Sequence, residues 1–566
     1  MSAIKYGLTI FAIFALIGCS KQPDADIAQP INTVFDVVEV SSALSGSADW
    51  ILTNGKILTV DQDFSTVEAM AIEDGRIIAT GTNEQVLEYL GADTEQTDLQ
   101  GQTVIPGLID NHMHFVRATK HWFRMVRWDG VKSRAEAFEL LKERSEQLPP
   151  GEWLMVFGGF NFDQFQEDTS TFSLQELDQI IPDRPLYIQE GYSRAFANSL
   201  ALQAAGVSKE TPGTGIIKDE QGELTGELRG GLAYSLVDQH IPEPVESAWD
   251  ESVKFTIETL LSYGMTGVYD VGGNTVTSDF YDSVNRIAQA DELDMRVFYS
   301  LNEQNSASDS AEQIIAEMNA NTPDLESLRF AQFGYGETVY RPMRANPFVV
   351  SEQDQQHFKN VVTAAVQNGW QLHEHSTRDE KVQLMLDILE EVAEEYPQMR
   401  DMRFTIAHTN GIQPESIERA NALGMVFGVH SSRRAASLSA SQNPATQQPP
   451  ASLINDLGGI WGLGSDATTV GSPQPMHTIS WIVSGRNIAG HITQPFTVSR
   501  EDALTAHTRT NAYILFREND LGSLEVGKLA DFAVLNDDYM SVPVEEIENL
   551  FSVMTVVEGE VVYTAR

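Results

Sequence analysis

Two histidines stand two residues apart in GLIDNHMH, residues 107–114. In an extended strand, alternate side chains share one side of the sheet. His112 and His114 would then face one point and could hold one cation. Neutral imidazoles bind Zn2+ at about 2.0–2.1 Å. Taken alone, the pair is a weak signal, because two hydrogen-bonded histidines at a strand end look the same in sequence. Other metal-competent residues follow far along the chain. Glu337, His373, His375, His408 and Asp466 each lie at the C-terminal end of a short apolar run. His373 and His375 repeat the two-residue spacing, so either can turn toward the same point. An ion held by such a set lowers the pKa of its water toward about 7 in the best zinc cases and polarises a carbonyl. Asp466 could take the water's proton and pass it to a leaving amine.

Eight apolar runs must position these residues. They cover 103–114, 266–273, 295–302, 328–337, 370–376, 403–409, 425–431 and 460–467. Helical patterns such as SEQDQQHFKNVVTAAVQNG and PESIERANALG separate many of them. Eight strands in β/α alternation predict an α/β fold, a (β/α)8 TIM-like barrel, whose active site lies at the C-terminal rim of the strands. The candidate residues fall at that rim. Residues 103–114 are the first barrel strand and 251–515 supply the rest. Between them, 115–250 is a large insertion with two strand-like runs, WLMVFGG and PLYIQE, and a hairpin-like segment at 212–228. Both chain ends are β-rich. Asn-Gly and Asp-Gly turns divide residues 48–81 into short strands, which is hairpin chemistry. One composite β-sandwich, built from 47–102 and 516–566, is the simplest arrangement.

Lys and Arg number 37 against 81 Asp and Glu, a net charge of −44. Such a surface repels nucleic acid and anionic headgroups, so no nucleic-acid partner is expected. Cys19 is the one cysteine. It excludes an intrachain disulfide and a cysteine-based zinc cage. The segment MSAIKYGLTIFAIFALIGCS has Lys5, an apolar run and small residues, the pattern of a secretory signal rather than a membrane span. LIGC resembles the lipobox of bacterial lipoproteins. That resemblance implies removal of residues 1–18, a lipid on Cys19 and a polar tether over 19–46. Ser20, rather than Asp, implies the outer membrane facing the periplasm of a Gram-negative bacterium, with membrane contact through the lipid only.

From about residue 48 to the end, the chain resembles the amidohydrolase superfamily, and within it the YtcJ-like metal-dependent hydrolases (amidohydrolase family 3). VIPGLIDNHMH resembles the first-strand metal motif PGxxDxHxH. HSTRD, RFTIAHT and GLGSDAT resemble the fifth-, sixth- and eighth-strand segments, and GSLEVGKLADFAVLN the return to the small β-domain. The resemblance implies a distorted barrel, a composite β-sandwich and an insertion after the first strand. It implies hydrolysis of a carbon–nitrogen bond other than a peptide bond, with a small-molecule substrate and one or two divalent ions, zinc being expected. It carries the metal ligands onto His112, His114, His375, His408 and Asp466, and favours His375 over His373. Asp466 is then also the proton shuttle. Many relatives are homodimers. Amides, ureas, cyclic amides and N-formyl compounds all remain open as substrates. Ester or lactone hydrolysis is the enzymatic alternative, and a non-catalytic ligand-binding lipoprotein is the other.

Two segments depart from the family. Many relatives place a metal-bridging lysine on the fourth strand. LRFAQFGYGETV has none, and Gln332 lies near the expected place. Either Glu337 supplies the bridging carboxylate or the site holds one ion. In GYSRAFANSLAL, which contains the family-like pair Asn198 and Ser199, Tyr192 and Ser193 stand where relatives often have a histidine. Tyr335, Arg378, His430 and Trp461 are candidate pocket residues.

Overall fold

The eight apolar runs form one parallel sheet in a computed structural model that describes residues 46–273, 276–302, 311–344, 349–441 and 447–566. The expected signal, Cys19 and nearly all of the tether lie outside the described residues. The strands are β1 (Leu108–Met113), β2 (Met265–Asp270), β3 (Arg296–Leu301), β4 (Phe330–Glu337), β5 (Gln371–Ser376), β6 (Thr405–His408), β7 (Val426–His430) and β8 (Trp461–Gly464). Each pairs in parallel with the next. Every residue of β1, β2, β6, β7 and β8 is buried, as strands covered on both faces require. Connecting helices supply the outer cover. One of them, Glu352–Asn368, starts at Ser351, whose side chain accepts the Asp354 N–H, and stops at Gly369 in the left-handed region. Its Val361, Val362 and Ala365 join Trp370 and Leu372 in the largest core cluster.

The sheet closes between β8 and β1. Asp466 N donates to His112 O at 2.8 Å and His114 N to Ala467 O at 2.9 Å. The carboxylate of Asp110 joins the same edges. It accepts from His112 N at 2.9 Å and from Ser465 N at 3.1 Å. Burial raises the Asp110 carboxyl to about 6 against these hydrogen bonds.

The strand expected over 103–114 is two strands. Thr103–Pro106 belongs to a six-stranded mixed sheet, and β1 begins only at Leu108. Gly107 lies between them. A Cβ there would come within 2.1 Å of Thr266 Oγ1, so the chain passes β2 only as glycine. Thr103–Pro106 pairs with Lys56–Leu58 on one side and with Phe532–Leu535 on the other, which joins the two chain ends in one sheet. A four-stranded sheet carrying Trp50–Thr53 and Ala69–Glu73 packs on it through Trp50, Leu52, Met70, Val104, Phe532 and Val534.

The segment after β1 builds a five-stranded sheet of its own. Its order is Ile216–Lys218, Leu224–Arg229, Arg194–Ala197, Leu186–Glu190 and Leu154–Phe157. Asn198 has a structural place in it. The side chain caps helix Ser199–Ala204 through Ala201 N at 2.9 Å and also accepts from Leu186 N at 3.0 Å.

Asp110→Ala leaves the His112 and Ser465 N–H groups buried without their acceptor, at about 1–3 kcal/mol each. Amide exchange at those two residues should accelerate at least tenfold, while exchange in 186–197 stays unchanged. Unaltered protection at Ser465 would show that the seam does not depend on this carboxylate.

Candidate metal centre

β1, β4, β5, β6 and β8 end on one cluster of four imidazoles and two carboxylates. Glu337 stands among the imidazoles. Its Oε2 lies 2.7 Å from His375 Nδ1, 3.4 Å from His408 Nε2 and 3.7 Å from His112 Nε2, and its Oε1 lies 3.7 Å from His114 Nε2. Asp466 faces it. Its Oδ1 lies 3.3 Å from His114 Nε2 and 3.8 Å from His112 Nε2, and its Oδ2 lies 3.7 Å from His408 Nδ1. Two triads have all their donor atoms within 4.8 Å of one another: His112, His114 and Asp466, and His112, Glu337 and His408.

Hydrogen bonds behind the cluster turn the rings. His114 Nδ1 lies 2.7 Å from Gly272 O. A carbonyl only accepts, so Nδ1 carries the proton and, in the neutral ring, the Nε2 lone pair faces the carboxylates. Gly272 is itself held by Asp270 at the end of β2. That carboxylate accepts from Gly272 N and Val116 N, both at 2.7 Å. Burial raises Asp270 to about 6. Behind His112, Nδ1 meets His373 Nε2 at 2.8 Å, and the His430 ring centre stands 4.0 Å from that of His112. His112, His373 and His430 form a third triad within the same 4.8 Å.

Burial depresses the pKa of His112, His373, His375 and His430, bringing His373 to about 3, so these rings are neutral at ordinary pH. For Glu337, burial acts upward. Its interactions with His375, Arg344 and His408 outweigh it and hold the carboxyl well below the usual range. Neutral imidazoles and an ionised carboxylate are the ligand forms. His112 Nε2 is buried with no hydrogen-bond partner and looks toward two carboxylate oxygens. A cation between them reconciles that arrangement, so the donor set fits a divalent metal. His408 and Asp466 hold left-handed backbone, φ 69° and 56°, in residues that disfavour it, as strained functional positions often do.

The structure brings His112, His114, Glu337, His375, His408 and Asp466 together. Of the two β5 histidines, His375 touches Glu337 and His373 touches His112. His430 ends β7, but its ring turns back toward Gly428. It is buried under His112 and His408, with Nδ1 accepting from His408 N at 3.2 Å. Tyr335 is not in the pocket either. It packs edge-on against Trp370 on the helix side of the sheet, with ring centres 5.1 Å apart. Alternation from Phe333 would put it inside, but the β3–β4 register shifts between Tyr299 and Ser300, inserting one residue in β4 and turning Tyr335 outward. Trp461 lies in the same helix-side core. Arg378 is exposed, in the N-cap position of helix Asp379–Glu395. Gln332 lies five residues back along β4, outside the cluster.

Sequence reasoning passed over Asp110, Asp270 and Arg117. Asp270 ends β2 in VYDVGG, so the strand-end rule that found the histidines also covers it. Asp110 lies inside the same octapeptide as His112 and His114.

Residues 95–563 match the profile described as the amidohydrolase family. The chain belongs to that family. As an amidohydrolase it is a hydrolase of carbon–nitrogen bonds. It is 25% identical over 539 residues to the putative amidohydrolase YtcJ of Bacillus subtilis, covering 90% of this chain and 98% of that protein. It is 26% identical over 554 residues to the N-substituted formamide deformylase of Arthrobacter pascens, covering 91% and 98%. An uncharacterized metal-dependent hydrolase from Pyrococcus furiosus shares the fold, with a TM-score of 0.60 at 21% identity over 87% of this amidohydrolase and 100% of that chain.

Replacing His112 and His114 together by Ala should abolish stoichiometric metal, measured by elemental analysis, while far-UV circular dichroism is retained. Glu337→Gln should lower metal content as well. Unchanged metal in either protein would remove the altered residues from the ligand set.

Proposed function

We propose that this amidohydrolase cleaves an amide-like, non-peptide C–N bond with one or two zinc ions held by His112, His114, His375, His408, Asp466 and Glu337. The observation that carries the reading is Glu337 among four imidazoles with Asp466 opposite. A carboxylate supplies the anionic oxygen that a bridging lysine carbamate supplies in relatives. Glu337 has two oxygens on different imidazoles, Oε1 toward His114 and Oε2 toward His375 and His408, which suits a bridge. The likeness to the N-substituted formamide deformylase of Arthrobacter pascens puts N-formyl amides among the first substrates to try.

A divalent ion in this donor set would supply an acidified water and a Lewis acid for the substrate carbonyl. Asp466 does the proton work. It accepts the proton of the attacking water and returns it to the departing nitrogen. Its side chain is 10% exposed, so it is reached from the rim, while its N–H bond to His112 O fixes its direction. His373 and Asp270 act through others. His373 bonds the far nitrogen of His112, and Asp270 holds the Gly272 segment that orients His114.

Asp466→Asn should keep bound metal, because an amide oxygen still ligates, yet lose about 10²–10⁴-fold in kcat. Turnover near the unaltered level would take Asp466 out of proton transfer.

We also propose that Cys19 carries a lipid that holds the enzyme at the outer membrane, facing the periplasm. Support comes from LIGC after the apolar run and from Ser20. In a Gram-negative host, Cys19→Ala should shift the protein from the membrane fraction to the soluble periplasmic fraction. Retention in the membrane would overturn the anchor.

A further inference from the structure

On a chain of net charge −44, the metal site is bordered by guanidinium groups. Arg117 lies in helix Phe115–Thr119, directly after β1. Arg433 lies in the turn Ser431–Ala435, directly after β7. β1 and β7 are the two neighbours of β8, whose end carries Asp466. The two arginines therefore stand on either side of Asp466, and both interact with its charge.

Among the described residues, neither has a carboxylate partner in ion-pair range. Arg117 Nη2 donates to Tyr192 OH of the insertion at 3.2 Å. A Cβ on Gly273 would be 2.9 Å from His114 Nδ1 and 3.3 Å from Arg117 Nη1, so this guanidinium lies beside a metal-site imidazole, in space that a glycine leaves open. Arg433 makes no side-chain hydrogen bond to a described residue, and its Nε is buried. Arg344, by contrast, is paired with Glu337 at 3.3 Å.

Charge balance sharpens the point. Among the described residues, the acidic groups of the site region are Glu337, Asp466, Asp110 and Asp270. With all four ionised, a single divalent ion and the three arginines still leave an excess of positive charge. A second ion increases it. Burying unbalanced charge is costly unless a partner of opposite sign arrives. Planar guanidinium groups suit a carboxylate in particular, through paired N–H donors.

We infer that the substrate carries a carboxylate near its scissile C–N bond, and that Arg117, set by Tyr192, and Arg433 bind it. This rests on the hydrolase reading above and narrows its substrate class to acylated amines bearing an acid group, such as N-acyl or N-formyl amino acids. The arginines are specificity residues, while the bond-breaking steps stay with the metal-site residues.

The test uses the metal-loaded enzyme and two matched pairs. N-formylphenylalanine and N-formylphenethylamine differ only by the carboxylate. 3-Phenylpropionate and 3-phenylpropan-1-ol differ in charge and have no amide or ester bond to cleave. The enzyme should favour N-formylphenylalanine at least tenfold in kcat/KM, and calorimetry should show phenylpropionate binding at least tenfold more tightly than phenylpropanol. Arg117→Gln and Arg433→Gln should each collapse both ratios toward one, chiefly through KM and Kd, and Arg117→Lys should restore part of the preference. Equal handling of the two members of both pairs, or ratios unmoved in the Gln proteins, would overturn the inference while leaving the hydrolase reading intact. If neither formamide is cleaved, the calorimetric pair decides it alone. If all amides tried survive while phenylpropionate binding still depends on Arg117, the hydrolytic reading fails and the anion site stands.

Discussion

Two backbone N–H groups, His112 on the first barrel strand and Ser465 after the last, share the carboxylate of Asp110. The ladder of eight strands runs from β1 to β8 in order, and this edge is where the ring closes. Closure brings Asp466 against His112 and His114, which are about 350 residues earlier in the chain. A barrel open at this edge would leave the two histidines on one side and the Asp466 carboxylate on the other. The energetic weight is local, since each buried N–H deprived of its acceptor costs about 1–3 kcal/mol. The functional weight is larger, because the geometry of the metal donors depends on the same few ångströms.

The cluster also constrains what the closed barrel can hold. The buried His112 Nε2 faces two carboxylate oxygens without a hydrogen-bond partner, an unfavourable arrangement without a cation. Hydrogen bonds from behind prevent the rings from turning away: Gly272 O fixes His114 and His373 meets His112. The left-handed backbone at His408 and Asp466 is a further local cost. Such costs persist where the site needs them, and here they converge on the donors of one ion or ion pair.

Much of this was legible in the sequence for a simple reason. A parallel barrel puts its chemistry at strand ends, so polar residues that close apolar runs mark the rim. His112, His114, Glu337, His375, His408 and Asp466 were all found in that way, and so was the barrel itself. Period-two alternation was less dependable. It fails at a bulge, and one extra residue in β4 sends Tyr335 to the helix side. It also cannot rank two residues of equal parity. His373 and His375 differ in depth along β5, and depth decides which ring meets Glu337. The break at Gly107 was hidden for another reason: VIPGLI reads as one apolar run, and only the Thr266 side chain shows why the strand must end there.

Recognition depends on a part of the chain that strand counting does not reach. Tyr192 sits in the turn between two strands of the insertion sheet, Leu186–Glu190 and Arg194–Ala197, and its hydroxyl meets Arg117 from the barrel. The insertion is also fastened to the loop after Asp466, where Arg127 donates to Thr468 O at 3.0 Å and to Gly471 O at 3.2 Å. Gly158 meets the same loop so closely that a Cβ would clash with the Thr469 carbonyl. The insertion thus bears both on the loop after Asp466 and on Arg117. Barrel strands set the imidazole and carboxylate cluster, while the insertion holds Arg117 through Tyr192. In the sequence Tyr192 drew notice because relatives often have a histidine nearby. A phenol that holds a guanidinium by its hydroxyl leaves the arginine fully cationic, whereas a carboxylate in the same place would neutralise it. The charge that could meet an anionic substrate is preserved by the choice of a neutral partner.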